Sequence, residues 1–136
     1  MTFSMNQKVL FKHCDPAGIV FYPRYFEMIN DCVEAFFAEC GTPFEVLLKS
    51  AGVPTVQIAA TFTAPSRHGD QLVLALDVLR IGASSLDLEI NADADAGAAR
   101  RFTANSTLVY LGVAGRPTKW PDALRLSFTS HLRSTP

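Results

Sequence analysis

Residues 14–26 read CDPAGIVFYPRYF, a run in which one acid, Asp15, stands among apolar and aromatic side chains. A carboxylate in such surroundings is costly unless it is hydrogen-bonded or put to chemical use. Two readings are open. An Asp ahead of Pro16-Ala17-Gly18 is a common turn or capping residue. Alternatively, weak solvation makes a carboxylate a better nucleophile or general base. His13, two positions earlier, is either an orienting partner for Asp15 or a structural histidine at a strand end. Cys14 beside His13 suggests a thiol with its base. Neighbouring strand residues point to opposite faces, however, so that pair does not converge and a cysteine mechanism is rejected.

Asp15 has to be positioned by the elements on either side of it. Residues 8–13 alternate weakly, with Val9, Phe11 and His13 on one face and Lys8, Leu10 and Lys12 on the other, which predicts a short strand leading to Asp15. Next, Tyr22, Phe26, Ile29, Val33, Phe36 or Phe37, and Cys40 recur at three- and four-residue steps, the spacing of one buried helix stripe. Pro23 suits a first helical position, and Gly41 followed by Pro43 supplies the stop. After Gly52 the period becomes two. Val56, Ile58, Ala60 and Phe62, then Leu72, Leu74, Leu76 and Val78, then Leu86, Leu88 and Ile90 mark half-buried strands. A last long strand is expected over 100–113, with Phe102, Ala104, Ser106, Leu108 and Tyr110 on one face, and a short helix over 121–132. Turn-forming groups at 66–70, 82–84 and 93–97 separate the strands.

The 136 residues suffice for one core, so a single domain over 1–136 is expected. With 49% hydrophobic and 18% charged residues the composition is that of a folded chain. A net charge of -1 without a basic run offers no field for a nucleic-acid backbone. No apolar window is long enough to span a bilayer and no secretory h-region is present, so no membrane association and a cytoplasmic location are expected. Cys14, Cys32 and Cys40 match neither a zinc site nor a redox pair and read as free thiols. One strand, one long apolar helix and an antiparallel meander call for an α+β domain whose sheet covers the helix. The edge and face left uncovered invite a second copy, so a homo-oligomer is expected.

The run from His13 to Tyr25, HCDPAGIVFYPRY, resembles the motif of the 4-hydroxybenzoyl-CoA thioesterase family, and the chain length and element order fit that family's hotdog fold, a curved antiparallel sheet wrapped around one long helix. The resemblance implies hydrolysis of an acyl-CoA thioester without metal or organic cofactor. Asp15 then matches the catalytic carboxylate, which either attacks the carbonyl or activates a water. Such chemistry also needs donors beside the carbonyl oxygen, where charge develops. Gly18 permits close backbone approach, and Tyr22 adjoins the helix start, whose unpaired N–H groups and dipole suit an oxyanion. Pro23 has no N–H, so the Tyr22 amide is the favoured donor, and His13 is a secondary catalytic candidate.

Tyr22-Pro23 favours an aromatic acyl group such as hydroxybenzoyl, because the similar short-chain thioesterases associated with the Tol-Pal system carry His in place of this Pro. Phe21 and Tyr25 are candidate walls of an acyl pocket, although aromatics at helical spacing are commonly core. Asn30 could meet a polar group on the acyl moiety. Arg67, His68 and Arg80 are candidate contacts for CoA phosphates, with solvated surface as the alternative. A dimer or tetramer with the site between subunits is implied, the Arg67-His68-Gly69 turn of one lying near Asp15 of the other. An aliphatic acyl-CoA thioesterase, a hydratase and a non-catalytic acyl-binding module are the competing readings.

Overall fold

The structure is a computed structural model that describes residues 1–94 and 100–134. Strands β1 (Phe3–Lys8), β2 (Thr55–Phe62), β3 (Gln71–Ile81), β4 (Ser85–Ala94) and β5 (Arg100–Val109) form one sheet in the order β1-β3-β4-β5-β2, with every neighbouring pair antiparallel. Helix α1 (Pro23–Glu39) packs on one face, a short α2 (Phe44–Leu47) follows it, and α3 (Asp122–Ser130) closes the far end. This is the expected hotdog arrangement.

The period-two pattern explains which face the helix occupies. Leu72, Leu74, Leu76 and Val78 of β3, Leu86, Leu88, Ile90 and Ala92 of β4, and Phe102, Ala104 and Leu108 of β5 are all buried. Against them α1 sets Tyr25, Met28, Ile29, Cys32, Val33, Phe36 and Phe37. Relative to the expected stripe the buried face is rotated: Tyr22 is exposed, Phe26 half-buried, and Tyr25, Met28 and Cys32 lie inside. Burial pushes the Cys32 thiol up to about 12 and that of Cys40 up to about 11, so both stay protonated. Gly41, at φ 90°, ends α1 in the left-handed conformation that favours glycine.

Several boundaries differ from the sequence reading. The first strand lies earlier, over Phe3–Lys8, and Phe11–His13 is a 3-10 turn. Val9 is fully buried and hydrogen-bonds to Asp70 and Gly69, so the chain turns instead of continuing as a strand, and Phe11 swings out to 80% exposure. Strand β2 is exposed along nearly its whole length because it is the sheet's edge, and a register irregularity between Thr55 and Gln57 displaces Val56. β5 ends at Val109, after which Tyr110 and Leu111 pair with loop residues. Helix α2 was unforeseen. The helix expected over 121–132 forms as α3, with Pro121 at its N-cap. Of the turn expected over 93–97, Asp93 and Ala94 belong to β4, and residues 95–97 lie outside the described residues.

The opposite face of the sheet is polar and tied down from the C-terminal side. Residues 131–133 take up the edge of β3 beyond the end of β1, where Arg133 N–H donates to the Val78 carbonyl. The Arg133 guanidinium then bridges Asp77 at 2.7 Å and Glu89 at 2.6 Å. Burial would raise the Asp77 carboxyl, but hydrogen bonds from Thr2 and Arg133 hold it below the usual range. Arg133 holds Glu89 down likewise.

Candidate active site

Asp15 opens a tight hairpin. Cys14 pairs with Val20, the Asp15 N–H donates to the Ile19 carbonyl at 3.0 Å, and the Gly18 N–H donates to the Asp15 carbonyl at 2.9 Å. Gly18 has φ 82°, a conformation that other residues adopt only with strain. The Asp15 carboxylate caps this turn, accepting the Ala17 N–H on Oδ1 at 2.8 Å. One oxygen thus holds the turn, as the capping reading has it, and Oδ2 has no hydrogen-bond partner among the described residues.

The hairpin is anchored on two sides. Phe21 N–H donates to the His13 carbonyl and Val20 N–H to the Ser66 carbonyl, each at 2.9 Å. These bonds set the start of α1 alongside residues 13–15. At that start the Tyr22 carbonyl accepts the Tyr25 N–H, Pro23 has no N–H to give, and the Tyr22 N–H donates to no backbone carbonyl among the described residues. Asp15 thus has one carboxylate oxygen without a hydrogen-bond partner among the described residues, and the Phe21–His13 bond ties the chain just before the Tyr22 amide to the residues just before Asp15.

His13 is 4% exposed, and its Nδ1 accepts the Leu10 N–H at 2.8 Å, which leaves the proton on Nε2. Burial, and then the neighbouring Lys12, push its pKa below the ordinary 6.5, so the ring is neutral. Its visible work is to hold the 3-10 turn. Tyr25 is withdrawn from the expected pocket wall: it is 3% exposed, and its hydroxyl donates to the buried Ser66 Oγ at 2.8 Å. Burial raises the Tyr25 pKa, which keeps that hydroxyl protonated.

Arg67 pairs with Ile19 through its backbone and so flanks the Asp15 hairpin of its own chain. The His68 ring packs 6.0 Å from Phe11 in the same turn. Arg80 is not brought to the site. It faces Asp87 near the far end of β3, nine residues from Gln71, which is roughly 30 Å of strand. Phe21 is half exposed beside Tyr22, their rings 5.6 Å apart.

Asn30 lies two turns along α1 from Tyr22, on the rim of a cavity of about 270 Å³ between α1, α2 and the β2 edge. Phe26 joins this cavity to the hairpin, because the Phe62 ring sits 5.9 Å from Tyr22 and 6.0 Å from Phe26. Phe44, Val53, Thr55 and Ser106 also line it and were not singled out from the sequence. A signal existed for Ser106, the lone hydroxyl in the apolar series of β5. None existed for Phe44 or Val53, which reach the cavity only through the unforeseen α2 turn and the loop after it. Among the described residues no three His, Cys, Asp or Glu side chains gather where they could hold a metal ion.

Comparison with known proteins matches this geometry to one family. Residues 9–128 match the model of the thioesterase-like superfamily. The chain is 31% identical over 77 residues to 4-hydroxybenzoyl-CoA thioesterase of Pseudomonas sp. (strain CBS-3), a stretch that covers 54% of this chain and only 55% of that protein. Among solved structures, a gentisyl-coenzyme A thioesterase is 25% identical with a TM-score of 0.83, over 93% of this chain and 99% of that one. A 1,4-dihydroxy-2-naphthoyl-CoA thioesterase from Synechocystis, 17% identical, shares the fold at a TM-score of 0.88, over 95% of this chain and 96% of its own. With nearly its whole length inside the family model and its hotdog architecture matched end to end, the chain belongs to the thioesterase-like superfamily.

Proposed function

We propose that the chain is a cytoplasmic acyl-CoA thioesterase that acts on the CoA ester of an aromatic acid. The observation that carries this reading is the hairpin that fixes Asp15 by one carboxylate oxygen, leaves its other oxygen without a partner among the described residues, and is bonded through Phe21 to the chain that enters α1 at Tyr22. In one route Oδ2 bonds to the acyl carbon, the C–S bond breaks with its electron pair on sulfur, and water then cleaves the mixed anhydride. In the other, the carboxylate takes a proton from a water that adds directly. Either way the acid and CoA thiol are released, and the Tyr22 amide, aided by the α1 dipole, stabilises the oxygen on which charge develops. His13 acts as a positioning group, since its Nδ1 is occupied and its ring neutral.

The aromatic assignment is supported by the Phe26 and Phe44 walls of the cavity and by the relatives' aromatic acyl groups. In this reading Gly18 and half-exposed Phe21 are offered as contacts near the entrance, and Arg67, bonded to the hairpin at Ile19, with the adjoining His68 as contacts for the CoA chain. The exposed β2 edge, with Val56, Ile58 and Phe62 uncovered, favours pairing with a second copy, which would close the cavity from its open side. Thiol release from hydroxybenzoyl-, benzoyl-, butyryl- and decanoyl-CoA tests the reading. The aromatic esters are expected to exceed butyryl-CoA in kcat/KM by roughly 2- to 100-fold. A preference for either aliphatic ester contradicts the aromatic assignment, and no thiol release from any ester contradicts thioester hydrolysis.

A further inference from the structure

We infer that Ser106 is a specificity-determining residue that reads a hydroxyl substituent on the acyl ring. The inference rests on the aromatic acyl-CoA reading above. Ser106 is 4% exposed, yet its hydroxyl has no hydrogen-bond partner among the described residues. It stands on the α1-facing side of β5 in the series Phe102, Ala104, Ser106, Leu108, where packing alone asks for an apolar side chain. Its oxygen is not among the sealed unpartnered polar atoms of the described residues, so it is open to the space beside it, where a ligand group can replace water as its hydrogen-bond partner. That hydroxyl lines the same cavity as Phe26, and Asn30 and Thr55 supply further polar groups on the α1 and β2 sides.

The chemistry of the lining narrows the ligand group. None of the lining side chains is charged, so a carboxylate or ammonium on the ring would be stranded there. A neutral hydroxyl fits, because it both donates and accepts, as do the Ser106 and Thr55 hydroxyls and the Asn30 amide. The cavity begins at Phe26, one helical turn beyond Tyr22, and reaches Asn30 in the next turn. A ring extending from a carbonyl at the Tyr22 N–H would run into it along the Phe62 and Phe26 rings.

The test measures binding, not turnover, and so separates this inference from the assignment of hydrolysis. Ketone thioether analogues, in which a methylene separates the carbonyl from the CoA sulfur, cannot be hydrolysed. Their affinities, unsubstituted and with a ring hydroxyl at each position, are compared by calorimetry on the intact protein. At least one hydroxylated analogue is expected to bind more tightly than the unsubstituted one, and Ser106→Ala is expected to cut that ratio by about 3- to 10-fold, the effect of one neutral hydrogen bond. The ratio normalises itself, because a poorly folded variant loses affinity for both analogues alike. An unchanged ratio in Ser106→Ala, or no preference for any hydroxylated analogue in the wild type, overturns the inference even where thiol release from acyl-CoA is observed.

Discussion

The two oxygens of Asp15 stand in different settings, one fixed by the Ala17 N–H and the other without a hydrogen-bond partner among the described residues. A turn-capping carboxylate is pre-oriented, and pre-orientation is what a nucleophile or base requires. The turn that holds Asp15 was legible because its whole setting is local in sequence. Tyr25 was misplaced because its setting is not: the hydroxyl partner, Ser66, lies 41 residues away. That bond ties the first turn of α1, and with it the Tyr22 N–H, to the loop before β3. Tyr25→Phe leaves the fully buried Ser66 hydroxyl without its donor, so a loss of about 1–2 kcal/mol in stability is expected from urea unfolding. An unchanged unfolding midpoint would contradict the anchoring role.

Among the elements, β3, β4, β5 and α1 were readable because each buries one face against the same core, and burial on one face writes a period into the sequence. Strand β1 was misplaced by several residues, since its apolar face carries only Phe3 and Met5, both partly exposed. Strand β2 has strand-like residues but little burial, as befits an edge. Its Val56, 59% exposed, sits where a second copy would pair. A lysine on an edge strand opposes such pairing. The wild type is therefore expected to sediment as a dimer or larger, and Val56→Lys to shift it toward monomer. A wild-type protein that is active and strictly monomeric would contradict the pairing.

For the molecule as a whole, the α+β hotdog class followed from element order and one motif. What the sequence left hidden is spatial. Arg80 lies at the far end of a strand from the hairpin, while Arg67 sits beside it, although both are arginines flanking a turn. The cavity is likewise assembled from α1, α2, β2, β5 and the loop before β2, so no single window of sequence contains it. Helix α1 carries both ends of the candidate site, with the Tyr22 amide at its start and Asn30 two turns on. Helix α3 and the loop before it hold that helix in place through the aromatic cluster of Phe36, Phe37, Trp120 and Phe128.

The central claim concerns one carboxylate, and Asp15→Asn tests it most directly. Asparagine keeps an oxygen to accept the Ala17 N–H, so the hairpin and the fold are expected to persist, with an unfolding transition close to that of the wild type. Thiol release from the best acyl-CoA substrate is expected to fall at least ~100-fold in kcat, the loss typical of removing a positioned base. Turnover by a folded Asp15→Asn protein within a few-fold of the wild type would contradict the account.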